Sequence, residues 1–153
     1  MEDIFEHFTI TILKLNKLVQ KIKLYEMHGY DLKAIHVMCS YYLHRNPDGL
    51  TASELSKLTL EDKAAISRAI KDMHEKGFVK YDANKYNAPI VLTDEGIELA
   101  KIIERKAADA VKAGSYDFTD EQRLFFYKSL ISISENLENY YAELVKNKED
   151  DDD

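Results

Sequence analysis

The chain has 153 residues, 45% hydrophobic and 32% charged, with a formal net charge of −7, which suits one globular domain with a moderate core. A single cysteine, Cys39, excludes an intramolecular disulfide and a zinc-type cysteine cluster, and two Pro with five Gly argue against a turn-rich β fold. No apolar run approaches the roughly 18 residues of a membrane helix, and the acidic opening Met1-Glu2-Asp3 lacks the basic start of a signal peptide, so a reducing cytoplasm is the expected location.

Residues 4–27 form a long helical pattern in which Phe5, Phe8, Ile12, Leu15, Val19 and Ile22 recur at spacings 3, 4, 3, 4, 3. Such a heptad seam packs against another long helix. A dimerisation helix is the favoured reading; a core helix of a monomer is the alternative. His28-Gly29-Tyr30 breaks the pattern, and Asp31 is the expected N-cap of the next helix. That helix, over residues 32–45, presents Leu32, Ile35, Val37, Met38, Tyr41, Tyr42 and Leu43 and reads as a buried support. Arg45-Asn46-Pro47-Asp48-Gly49 is a turn.

Residues 51–93 hold the informative pattern. Thr51 and Glu54 make a T-x-x-E capping box at the head of a short helix that turns Leu55 and Leu58 inward. Thr59, with Glu61 and Asp62, is the start signal of a second helix. This one carries Ala65, Ile66, Ala69, Ile70 and Met73 on one side and Lys63, Ala64, Ser67, Arg68 and Lys71 on the other. Gly77 ends it. Residues 78–81 and 89–92 read as two strands of a hairpin with residues 82–88 at its tip. Helix, turn, helix and hairpin make a winged helix-turn-helix, so the fold class is mainly α with a small β wing, and the second helix is narrow enough to enter a DNA major groove.

The run ELSKLTLEDKAAISRAIKDMHEKGFV, a short wing and then LTDEG together resemble the MarR family of bacterial transcriptional regulators, with DKAAISR (62–68), EKGFV (75–79) and LTDEG (92–96) carrying the match. The resemblance implies a homodimer that binds a pseudo-palindromic double-stranded operator, most often as a ligand-released repressor. It implies base or phosphate contacts from Lys63, Ala64, Ser67, Arg68 and Lys71. It also implies a wing arginine in the minor groove. The tip here reads DANKYNA and has no arginine, so Lys85 takes that place, with Asn84 and Asn87 as polar helpers. Lysine lacks the guanidinium fork and is more strongly hydrated. The effector pocket that the resemblance implies would be lined by Tyr25, Tyr30, His36 and Tyr41.

Beyond the wing, Thr93 caps a helix that opens with Asp94 and Glu95, carries Ile97, Leu99, Ala100, Ile103 and Ala107, and runs to about residue 112. Thr119 and Gln122 form a second capping box. The last helix, 119–145, repeats Phe126, Leu130, Ile133, Leu137, Tyr140 and Leu144 at spacings 4, 3, 4, 3, 4, a second candidate dimerisation seam. Residues 1–148 thus read as one domain, with 31–112 as the winged-helix region and 149–153 as a disordered acidic tail.

Charge is uneven. Residues 51–101 hold nine acids and eight bases, whereas residues 102–153 hold thirteen acids and seven bases. The reading head is therefore near neutral, which keeps a second function in play: a winged-helix protein-interaction module without DNA binding. No cofactor, metal site or enzymatic activity is expected. His36 and His44 lie eight apart, too far for an i, i+4 ligand pair, and no catalytic or nucleotide-binding motif occurs.

Overall fold

A computed structural model describes residues 4–151, apart from the side chains of Phe5 and residues 149–151. The chain divides into two compact units, residues 1–108 and 109–153.

The first unit opens with α1 (Ile4–Met27). Phe8, Ile12, Leu15, Val19 and Ile22 of its seam are all exposed. A short 3-10 turn, His28–Tyr30, follows and closes on Asp31, which takes φ 52° and donates its amide to the His28 carbonyl at 3.3 Å. Asp31 therefore does not cap the next helix. Helix α2 (Ala34–Arg45) starts later, and the His36 ring reaches back to do the capping, its Nδ1 accepting the Lys33 N–H at 3.0 Å. A side chain three residues into a helix can satisfy the amide at its cap in this way. A histidine is not an ordinary cap signal, and the start was misplaced for that reason.

Helix α3 (Ala52–Thr59) has the expected capping box: the Thr51 N–H donates to Glu54 Oε2 at 2.8 Å, and the Glu54 N–H donates to Thr51 Oγ1 at 3.2 Å. Leu55 is fully buried, but Leu58 is exposed, contrary to its expected inward position. An eight-residue helix has room for a narrow apolar stripe only, and Leu58 falls beside it. Thr59 is likewise not the start of the second helix. It ends α3 by donating its hydroxyl to the Leu55 carbonyl at 2.7 Å, and Leu60 turns the chain at φ 61°. The true cap of α4 (Lys63–Glu75) is Asp62, whose Oδ1 accepts the Ala65 N–H at 2.8 Å. The tight turn is held further by Ser56 Oγ, which donates to the Glu61 carbonyl at 2.6 Å.

Helix α4 buries Ile66, Ala69, Ile70 and Met73. Ile66 and Met73 have no exposed surface, and each such side chain contributes roughly 1.5–3 kcal/mol by leaving water. The helix stops in a Schellman motif: the Gly77 N–H donates to the His74 carbonyl, and the Phe78 N–H to the Met73 carbonyl, at 3.0 and 2.9 Å. Gly77 sits at φ 79°, where a side chain would be strained.

The wing strands are shorter than the sequence suggested, β1 (Val79–Lys80) and β2 (Val91–Leu92), paired antiparallel with Val79 opposite Leu92. Leu50 adds a third rung by exchanging two backbone hydrogen bonds with Ile90, at 3.1 and 2.8 Å. One core gathers Cys39, Leu43, Leu50, Leu55, Ile66, Ile70, Met73, Val79 and Ile90 beneath α4. A second joins Met27, Leu32, Val37, Leu99 and Ile103, and Phe78 packs against both.

Helix α5 (Asp94–Gly114) begins with Thr93, whose Oγ1 accepts the Gly96 N–H at 3.1 Å and donates to the Gly77 carbonyl at 2.5 Å. A Cβ on Gly96 would lie 2.0 Å from the Phe78 carbonyl oxygen. These contacts give the KGF and LTDEG runs their physical meaning. Gly77 ends the reading helix, Phe78 bridges the cores, Thr93 ties the wing exit to Gly77, and Gly96 permits the backbones to meet.

In the second unit, α5 ends and α6 (Asp120–Asp151) begins. The expected capping box is present: the Thr119 N–H donates to Gln122 Oε1 at 2.8 Å and the Gln122 N–H to Thr119 Oγ1 at 3.2 Å. The intervening turn is fastened by Arg123, which donates to Ser115 Oγ, the carbonyls of Ser115 and Phe118, and Asp120 Oδ1. Along α6, Phe126, Ile133, Leu137, Tyr140 and Leu144 of the seam are exposed. Helix α6 continues to Asp151; the rest of the acidic stretch expected as a tail over 149–153 lies outside the described residues.

Candidate nucleic-acid interface

The burial of one side of α4 decides what the other side shows. With Ile66, Ala69, Ile70 and Met73 turned into the core, Lys63, Ala64, Ser67, Arg68 and Lys71 are all exposed, as one stripe along the helix. Lys63, Arg68 and Lys71 form no ion pair or hydrogen bond, so they can meet an anion without giving up an internal partner. Ala64 and Ser67 leave low ground between the cations, which allows close approach to a flat polyanion.

The wing tip lies across the end of the hairpin. The Asp82 carboxylate accepts the Asn84 N–H at 3.0 Å, and the Asp82 carbonyl accepts the Lys85 N–H at 3.1 Å. Asn87 turns back at φ 52°, a conformation that asparagine tolerates better than most residues. Asn84, Lys85 and Asn87 are all exposed. So is Tyr86, at 94%, which sequence reasoning passed over. Its signal was an aromatic side chain inside an otherwise polar turn.

Behind the reading stripe, α4 is fastened to the start of α2. His36, 3% exposed, lies with Nε2 3.3 Å from Asp72 Oδ2. Asp72 also accepts from Lys76 Nζ at 2.5 Å, and Lys76 reaches Asp31 at 3.3 Å. The hydrogen bond from Lys76 holds the Asp72 carboxyl below its ordinary range. Burial pushes His36 down, partly opposed by the Asp72 charge. With Nδ1 accepting from the backbone, Nε2 must carry the proton and donate to Asp72.

These groups line a cavity of about 510 Å³ with Lys33, Ile35, Ala65, Arg68 and Ala69. Of the four residues expected to line an effector pocket, His36 is on its wall. Tyr25 is 84% exposed, Tyr30 is exposed, and Tyr41 packs edge-on against Tyr42 beneath the Arg45 guanidinium; none of the three tyrosines lines it. Cys39 lies in the core with its thiol pushed up to about 12, chiefly by burial and further by the Glu61 charge. Among the described residues no three His, Cys, Asp or Glu are grouped to hold a metal ion, and no helix is long and apolar enough to cross a membrane.

Comparison with known proteins agrees with this geometry. Residues 30–85 match the model of the MarR family. No curated protein matches the chain in sequence. Among solved structures, a MarR protein from Peptoclostridium difficile superposes with a TM-score of 0.81 at 22% identity, covering 94% of this chain and 95% of that one. A MarR transcriptional regulator from Methanosarcina mazei gives 0.80 at 22% identity, covering 88% and 92%. MepR of S. aureus, in a complex with DNA, gives 0.75 at 15% identity, covering 88% and 99%. By sequence over residues 30–85 and by fold over most of its length, the chain is similar to the MarR family, and its fold is that family's winged helix.

Proposed function

We propose that this chain is a MarR-family transcriptional regulator that binds double-stranded DNA as a homodimer, with α4 in the major groove and the wing alongside. The observation that carries the reading is the α4 stripe, in which Lys63, Arg68 and Lys71 stand exposed and unpaired around Ala64 and Ser67. Arg and Lys supply phosphate and guanine contacts, Ser meets either, and Ala64 accommodates a thymine methyl. Asn84, Lys85 and Asn87 are assigned to the wing contact. MepR, whose structure contains DNA, has the same fold.

The homodimer rests on the exposed apolar seams of α1 and α6, which a second copy would cover. Repression relieved by a small-molecule effector is the regulatory part of the reading. The cavity beside Arg68, with His36 on its wall, is the place proposed for that effector. An occupant there touches the same helix that reads DNA.

The test is a gel-shift titration on a duplex enriched from a random pool by the chain itself, with stoichiometry measured on the complex. The expected result is two chains per duplex and a specific shift that Lys63→Ala with Arg68→Ala reduces by roughly 100-fold, two lost contacts in each half-site. An unchanged specific shift in the double variant overturns the assignment of α4 as the reading helix.

A further inference from the structure

The wing offers no arginine, yet it holds up one side chain that nothing inside the molecule uses. The hairpin is pinned at its base by buried Val79, Ala88 and Ile90. Tyr81, at the entry to the tip, is spent internally, its ring 5.1 Å from that of His74. The tip itself is set by the two hydrogen bonds to Asp82 and by the left-handed turn at Asn87. Between them Tyr86 stands 94% exposed, more than any other aromatic side chain described, with no hydrogen bond and no ring contact. Its neighbours Lys85 and Asn87 are exposed and carry hydrogen-bond donors.

We propose that Tyr86 is the groove-reading residue of the wing, lying in the DNA minor groove while Lys85 meets the adjoining phosphate. This rests on the DNA-binding reading above. The chemistry follows from the side chain. A tyrosine ring is a flat apolar body that packs against the deoxyribose walls, and its hydroxyl is a donor at the far end. The floor of the minor groove presents acceptors, adenine N3 and thymine O2, at A·T pairs, and the guanine amino group intrudes at G·C pairs. A hydroxyl donor therefore favours A·T beneath the wing. A lysine alone does not give this preference, because a mobile point charge tracks phosphate potential and carries little base information. Tyr86 supplies shape and a directed donor in place of the missing arginine.

The experiment uses the full-length chain and a duplex that the wild type enriches from a random pool. Dissociation constants and base preferences are measured for wild type, Tyr86→Ala, Tyr86→Phe and, as control, Arg68→Ala. Because Tyr86 has no internal partner, its variants should melt with the wild type. Tyr86→Ala is expected to weaken binding roughly tenfold and to erase the A·T preference in the flanks of the site. Tyr86→Phe should keep part of the affinity and lose the preference, since the ring stays and the donor goes. Arg68→Ala should damage the centre of each half-site and leave the flanking preference intact. Binding by Tyr86→Ala within about twofold of wild type, with unchanged flanks, overturns the role of Tyr86 while leaving α4 as the reader. If wild type enriches no duplex at all, the DNA-binding reading fails and takes this inference with it.

Discussion

His36 makes two hydrogen bonds that both require a neutral ring. Its Nδ1 accepts the Lys33 amide that opens α2, and its Nε2 faces Asp72 on the reading helix. Protonating Nδ1 would set two donors against each other at the head of a helix, where the macrodipole already disfavours positive charge. Burial acts in the same direction, as do the charges of Lys76 and Lys33, while Asp72 and Asp31 oppose it. The folded state therefore binds the His36 proton less readily than the unfolded chain, whose imidazole titrates at its ordinary 6.5. The sign follows: the stabilisation is fully present above pH 6.5 and is lost as pH falls toward the lower folded value. In urea unfolding, wild type should lose stability across this window with a slope of up to about 1.4 kcal/mol per pH unit more than His36→Gln. Glutamine retains an acceptor for the Lys33 amide without titrating. Equal slopes for the two proteins would remove His36 from the account.

At the scale of elements, the caps decide where helices sit, and they divide into those visible in sequence and those that are not. Thr51 with Glu54, Thr93, and Thr119 with Gln122 act on amides within a few residues, so spacing alone reveals them. Gly77 is legible for the same local reason. Asp31 and Thr59 mislead because each has the composition of a cap, but the chain had a better local option. His36 takes over the start of α2, and Asp62 reaches the Ala65 amide while the Thr59 hydroxyl folds back on Leu55. The bridge from Leu50 to Ile90, the His36–Asp72–Lys76–Asp31 network and the cavity beside Arg68 join segments distant in sequence, and no local pattern announces them. The exposed stripe on α4 was legible because its buried partners recur at helical spacing. Tyr86 was not, because only the turn geometry shows that it points at nothing in the chain.

The junction of α5 and α6 gives an element-scale prediction. Arg123 is the common donor to Ser115 Oγ, two carbonyls at the end of α5 and its turn, and Asp120 at the head of α6. Arg123→Ala should lower thermal stability by about 1–2 kcal/mol, since several bonds to one charged group are lost at a side chain only 27% exposed. Circular dichroism melts check it. An unchanged melting temperature would mean that the capping box alone fixes the turn.

For the whole molecule, the seams and the charge distribution have to be read together. The region 51–101 has almost balanced charge, whereas residues 102–153 hold most of the acidic excess. A single head with three unpaired cations on its reading helix is a modest DNA ligand. Two such heads held at a fixed spacing bind far more tightly through effective concentration, and half-sites about 10 bp apart would suit them. The apolar faces of α1 and α6 give that proposal its physical basis. The net negative charge also repels DNA at long range, so the local phosphate contacts must outweigh it, and salt screens both.

That competition makes the salt dependence of binding the most direct test of the central claim. The dissociation constant for the enriched duplex should be measured over a series of salt concentrations, for wild type and for Lys63→Ala with Arg68→Ala. A DNA reader built on the α4 cations should lose affinity steeply with salt, and the double variant in a dimer should have a slope smaller by about 3–4, from roughly 0.9 for each of four lost phosphate contacts. A binding constant that does not change with salt, or a slope identical in the variant, would contradict the account and favour a winged helix that docks on protein instead.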